Sequence, residues 1–310
     1  MNQVYFSDKE KVAEPRINEK FSLNVWHGIR AKILTLIDNG SFGYKFPEEC
    51  KEGGGNVIGT KRQLMSDTLK VEIPAITKER YITSSWGNDY IDILSDSHRQ
   101  DTVPSTLTIL DIIQFSYKNI AKPTKENYHE YFKHHHLVFD RDEGQKEFRE
   151  DINLIFARNG IIFDLQENGQ IIRLAPPILR EKLSEVIFHT RDNKLNEILD
   201  SARTKYLDPN ISVRRESLEK LWDAWERIKT IELSEDKKQS AKRLLDKASS
   251  EPNFREVLEE DAKKLTDIGN QFQIRHSEIN RTPVNKSEHI DYLFQRLFAI
   301  IYLLLKSLEK

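Results

Sequence analysis

The sequence is poor in cysteine, glycine and proline: its 310 residues include one cysteine, 12 glycines and 10 prolines. The single cysteine, Cys50, excludes an internal disulfide framework and a cysteine-based zinc site, and it is typical of a reducing compartment. So few glycines and prolines, combined with 32% charged residues, favour amphipathic helices over a sheet-rich fold full of turns. We therefore expect a mainly α-helical cytoplasmic protein.

Long apolar segments are also missing. The N-terminal residues lack the apolar core of a signal peptide. The longest apolar run, Leu297–Leu305, is about half of the ~20 residues that span a bilayer. With 48 basic and 50 acidic residues, no global positive field attracts nucleic acid. We expect no membrane association, and charge leaves an RNA substrate open.

The length predicts two domains, which we place at 1–188 and 189–310. In the first, helical spacing predicts helices over Ser22–Asp38, after the cap Ser105, and over Gly144–Asn159. Two β-prone runs joined by Glu167-Asn168-Gly169 then predict a hairpin. This order resembles a winged helix, although a hairpin that closes a small helical domain is the alternative. In the second domain, a run of predicted helices with short connections favours an antiparallel bundle. These helices lie near 194–206, 213–232, 234–249, 254–274 and 287–308.

Two further motifs resemble functional sites but lack the residue spacing that such sites require. The glycine-rich stretch Lys51–Thr60 lacks the Lys-Ser/Thr ending of a phosphate loop, so we interpret it as a surface loop. The histidines 129, 134, 135 and 136 do not have the H-E-x-x-H spacing of a metalloprotease helix, and we interpret them as a solvated loop or helix end. Adventitious binding of zinc or nickel by the three consecutive histidines is the alternative. We predict no metal ligands and no cofactor-binding residues.

The segment Asp267–Pro283 carries the most promising chemistry. It is polar but lies between two strongly apolar helices, and it contains a histidine beside an arginine, His276 and Arg275. Imidazole moves protons near neutral pH, and guanidinium binds phosphate, so this pair suits metal-independent RNA cleavage. The alternatives from spacing alone are a helix-capping network or a polar patch in a dimer interface.

The same segment resembles the HEPN superfamily of helical domains found in abortive-infection and toxin systems. The resemblance rests on Ala224-Trp225-Glu226, on IGNQFQIRHSEIN and on the apolar last helix, YLFQRLFAIIYLLL. The N-terminal part resembles the domains joined to such bundles in AbiJ-like phage-defence proteins. These resemblances imply a C-terminal HEPN-like bundle that dimerises and cleaves RNA, joined to an N-terminal domain that binds a partner or senses a trigger.

Carried over by residue, the resemblance implies His276 as acid/base group and Arg275 as phosphate contact. The residues implied for substrate positioning are Asn270, Glu278, Asn280 and Arg281. In the ribonuclease members, four to six residues separate an arginine from the catalytic histidine that follows it. With six residues between it and His276, the corresponding position of this chain holds Gly269, which is followed by Asn270. This departure leaves a second class open, a catalytically inactive, antitoxin-like binding or assembly subunit. The helix followed by a hairpin leaves a third class open, a DNA-binding regulator.

Overall fold

The computed structural model describes residues 15–78, 103–176, 179, 183, 190–272, 274 and 282–308. Its contacts divide the chain into two units, Met1–Ile172 and Arg173–Lys310. The boundary expected between residues 188 and 189 stays a prediction. Within the described ranges, no helix combines the length and the apolar character that crossing a membrane requires.

The first unit alternates helices with short hairpins. Its helices are α1 (Leu23–Asp38), α2 (Arg62–Glu72), α3 (Ala75–Lys78), α4 (Thr106–Asn119) and α5 (Arg141–Arg158). Three strand pairs accompany them: β1 (Pro47–Glu49) with β2 (Val57–Thr60), β3 (Lys122–His129) with β4 (His134–Asp140), and β5 (Phe163–Leu165) with β6 (Ile171–Arg173). The predicted fold class, mainly helical with a hairpin after a helix, is confirmed.

Local side chains explain where these helices begin. The hydroxyl oxygens of Ser22 and Ser105 accept hydrogen bonds from the first-turn amides of α1 and α4, and Asp140 does the same for α5. Such caps satisfy amides that have no partner inside the helix. Gly169, at φ +80°, forms the turn between β5 and β6 as the sequence predicted.

Two local predictions were wrong. Only Lys51–Asn56 is a turn, because Val57–Thr60 forms strand β2 and pairs with Pro47–Glu49. Likewise, His134–His136 is neither a loop nor a helix end but the start of β4, which pairs antiparallel with β3. In both cases the backbone finds its hydrogen-bond partners in another segment, and a local pattern does not reveal that partner.

The second unit is a bundle of α6 (Asn193–Tyr206), α7 (Ile211–Ile228), α8 (Lys237–Ala248), α9 (Pro252–Gln271) and α10 (Ser287–Leu308). Each of these lies within a few residues of its predicted range. Trp222 and Trp225, three residues apart on α7, are spaced as core residues, and both are 1% exposed. Pro176-Pro177 is typical of a helix start, so the sequence also predicts a helix from there through Phe188. Most of that range lies outside the described residues, although positions 179 and 183 are helical.

A buried polar network joins the start of this unit to its last helix. The Arg173 guanidinium donates to both carboxylate oxygens of Asp291, with a shortest distance of 2.7 Å, and the Tyr206 hydroxyl donates to the same carboxylate at 2.8 Å. Burial, followed by the nearby Asp291 charge, raises the pKa of Tyr206 well above its usual range. Tyr206 therefore stays neutral and acts as a donor.

Candidate functional site

The segment predicted to carry catalysis follows α9. Asn270 lies exposed in the last turn of that helix. Phe272 and Thr282 form a parallel β-bridge, which brings the two ends of the segment together. Ile274, which follows Phe272 by two residues, is buried. The other predicted site residues lie outside the described residues: Arg275, His276, Glu278, Asn280 and Arg281.

Gly269 occupies the position where an arginine would precede His276 by six intervening residues. A Cβ atom there would lie 2.2 Å from Nε1 of Trp222 and 2.4 Å from its Cδ1. The indole is fully buried and is fixed in place because Nε1 donates to the Leu265 carbonyl at 3.1 Å. Any side chain at position 269 therefore requires Trp222 or the helix backbone to shift, so core packing opposes a larger residue here.

Glu226, in the Ala224-Trp225-Glu226 element of α7, is held by lysines. Its carboxylate accepts from Lys229 at 2.6 Å and also from Lys237 of α8. Burial alone raises the pKa of Glu226, but the hydrogen bonds and charges of the two lysines outweigh burial, and its pKa lies below the usual value. Glu226 is therefore ionised and stabilises the α7–α8 connection.

A second constellation lies in the first unit, where the sequence predicted none. His129 ends β3 and pairs directly with His134 at the start of β4. His136 lies two residues further along β4, on the same face as His134 because side chains alternate along a strand. Cys50 follows β1 and is 5% exposed. The fold thus brings together Cys50 and His129, which come from two different hairpins and are 79 positions apart in the sequence.

The ligand atoms of Cys50, His129, His134 and His136 all lie within 4.8 Å of one another. Nδ1 of His129 lies 3.5 Å from Sγ of Cys50, and its other ring nitrogen, Nε2, lies 3.1 Å from a carboxylate oxygen of Glu52. Ring centroids of the three histidines are 5.4 to 5.8 Å apart. The imidazole edges therefore converge on one small volume beside the thiol.

Two of these imidazoles carry polar atoms that the surrounding protein does not satisfy. Nε2 of His134 and Nε2 of His136 are buried, and within the described part of the chain neither has a hydrogen-bond partner. Buried polar atoms are nearly always paired, so two unpaired nitrogens in one cluster need an explanation. The exclusion of any cysteine-based zinc site was too broad, since one thiolate is enough when three imidazoles complete the set.

A weak signal for this cluster was present in the sequence. His-x-His, here His134 and His136, places two imidazoles on one face of a strand, and a tight turn returns His129 to the same end. Lys133, at φ +59°, makes that turn possible. The lone Cys50 has no local signal that links it to these histidines.

The model of the AbiJ N-terminal domain 4 family matches residues 4–189. This range contains the whole of the Cys50, His129, His134 and His136 cluster. No curated protein and no solved structure matches the chain.

Proposed function

The chain belongs to the AbiJ N-terminal domain 4 family, and on this premise we propose that it is an abortive-infection effector whose C-terminal bundle cleaves RNA. The observation that carries the phage-defence role is the family match over residues 4–189, more than half of the chain. The N-terminal unit would sense a trigger or bind a protein partner. The C-terminal unit would act on RNA as a homodimer in the cytoplasm.

RNA cleavage is proposed for the segment between Phe272 and Thr282. His276 would accept the proton of a ribose 2′-hydroxyl as that oxygen attacks the adjacent phosphorus, and would return a proton to the 5′-oxygen as its bond to phosphorus breaks. Arg275 would neutralise the scissile phosphate, so that no metal is required. Asn270 is exposed at the end of α9, which suits a substrate contact. Glu278, Asn280 and Arg281 would position the RNA from the same segment.

A second candidate function is a catalytically inactive, antitoxin-like binding or assembly subunit. The contact between Gly269 and Trp222 favours it, because this helix position has no space for the arginine that ribonuclease members of the HEPN superfamily use. In this case the C-terminal bundle would bind a protein partner and leave RNA intact.

The two candidates are separated by expressing the wild type, His276→Ala and His289→Ala in bacteria challenged with phages. His289 is exposed near the start of α10 and serves as the matched control. We expect wild type and His289→Ala to reduce phage yield and to fragment cellular RNA, and His276→Ala to lose both effects. The purified proteins should show the same order of RNA cleavage with metal chelated.

The other outcomes are equally informative. Phage protection that survives in His276→Ala, without RNA fragmentation by any of the proteins, would contradict RNA cleavage and support the binding subunit. Wild-type protein that protects against none of a broad phage panel, although it accumulates as folded protein, would contradict the proposed defence role.

A further inference from the structure

We propose that Cys50, His129, His134 and His136 bind one Zn²⁺ ion in a closed, four-coordinate structural site. The proposal is independent of RNA cleavage, since all four residues lie in the first unit, Met1–Ile172. It rests on the donor set, on the spacing of the donors and on buried nitrogens that have no protein partner.

The donor chemistry suits zinc. One thiolate and three neutral imidazoles form a soft-to-borderline set that prefers Zn²⁺ over oxygen-seeking ions such as Mg²⁺ or Ca²⁺. Four protein donors fill a tetrahedral shell and leave no open position for water or substrate. The site is therefore structural rather than catalytic.

The spacing also fits. Zinc binds sulfur at about 2.3 Å and imidazole nitrogen at about 2.0 Å, so a tetrahedral site separates sulfur from nitrogen by about 3.6 Å. The Sγ of Cys50 and Nδ1 of His129 are 3.5 Å apart. Each of the four residues offers one ligand atom within 4.8 Å of those of the others, so small side-chain rotations bring the set to tetrahedral separations.

Hydrogen bonding around the cluster selects the donor atom of each histidine. Glu52 faces Nε2 of His129, so this nitrogen carries the proton and Nδ1 presents its lone pair toward Cys50. Metal-binding histidines commonly have such a carboxylate on the second nitrogen. For His134 and His136 the buried Nε2 atoms, which have no protein partner among the described residues, are the donors.

Charge balance favours the same assignment. A thiolate, three neutral imidazoles and Zn²⁺ sum to a single positive charge, and the nearby Glu52 carboxylate opposes it. Without an ion, the buried Nε2 atoms of His134 and His136 have no hydrogen-bond partner among the described residues, which is unfavourable. One zinc ion would satisfy both atoms and would tie the β1–β2 turn to the β3–β4 hairpin.

The test uses the full chain, purified with a tag that contains no histidine, after growth with added zinc. Metal analysis after passage over chelating resin should give one zinc per wild-type chain. We expect His134→Ala and Cys50→Ser to fall below about a fifth of that content. His135→Ala is the matched control, because His135 is exposed on the opposite face of β4, and it should retain one zinc.

Measurements on the wild type test the proposal even if the variants do not fold. Replacement of zinc by Co²⁺ should produce the near-ultraviolet absorption of a thiolate bound to cobalt, and this band reports Cys50 because the chain has one cysteine. Strong chelation should lower the unfolding midpoint by at least about 5 °C, and added zinc should restore it. Wild type without zinc, a cobalt complex without the thiolate band, or equal loss in His135→Ala would each overturn the proposal.

Discussion

Two buried polar clusters, one in each unit, differ in how their polar atoms are satisfied. In the C-terminal unit, Arg173, Asp291 and Tyr206 satisfy one another at 2.7 to 2.8 Å. In the N-terminal unit, His134 and His136 direct buried nitrogens into a cluster where the described residues offer no partner. A network that the protein completes itself contributes to stability directly, whereas an incomplete set of soft donors depends on an ion for its stability.

The sharpest way to break the self-satisfied network is Asp291→Ala. This change removes the carboxylate from beside Arg173, whose side chain is 4% exposed, and leaves a buried charge poorly compensated. We expect the free energy of unfolding of the C-terminal unit to fall by about 3 kcal/mol or more. Chemical denaturation monitored by tryptophan fluorescence measures it in a background with Trp26 and Trp86 replaced by phenylalanine, since Trp222 and Trp225 then report this unit alone.

Glu288→Ala, an exposed change on the same helix, is the control and should cost less than about 1 kcal/mol. Equal losses in the two variants would show that the Arg173–Asp291 pair is not the source of the effect.

The next largest effect is expected at Gly269. Gly269→Ala places a methyl group on the Trp222 indole and should lower the free energy of unfolding by about 1–3 kcal/mol. Asn270→Ala, one residue later and exposed, should change it by less than about 0.5 kcal/mol. If Gly269→Ala is as stable as the wild type, Trp222 moves aside easily and the position is open to an arginine.

A third change sharpens the account of the metal site. Glu52→Gln keeps a hydrogen-bond acceptor beside His129 but removes its charge, so zinc affinity should fall about tenfold. Competition with a zinc-binding dye measures the affinity. Glu49→Gln, an exposed change on the same hairpin, should leave it unaltered, and a similar drop in both variants would point to general surface charge instead.

The smallest effect concerns Glu226 and acid stability. The pKa of Glu226 is lowered in the folded state from its usual 4.5, so its contribution is present above that pH and is lost as pH falls through the folded value. Glu226→Gln should therefore cost on the order of 1 kcal/mol at pH 7. The difference from wild type should shrink below about pH 4. A difference that stays constant with pH would indicate lost packing.

The helices were largely predictable because their signals are local. Ser105 caps α4 as predicted, and apolar spacing located α1 and each of α6 to α10 within a few residues. The hairpin at Gly169 was predictable for the same reason, since its turn residues are adjacent in the sequence.

The β3–β4 hairpin and the cluster it carries were not predictable in this way. β3 is polar and mostly exposed, begins Lys-Pro, and lacks the alternation that marks a half-buried strand. The pairing of His129 with His134 brings the histidines of the two strands together, and Cys50 approaches them from another hairpin. Conversely, the predicted catalytic segment was found from residue types in one stretch, and apart from Asn270 its predicted residues lie outside the described ones.

The most direct test of the metal site is X-ray absorption at the zinc edge of the zinc-loaded full chain. For the proposed zinc site we expect one sulfur at about 2.3 Å and three imidazole nitrogens at about 2.0 Å around a single ion. A shell without sulfur, or one that contains several water oxygens, would contradict it and would leave the buried histidine nitrogens of β4 without an explanation.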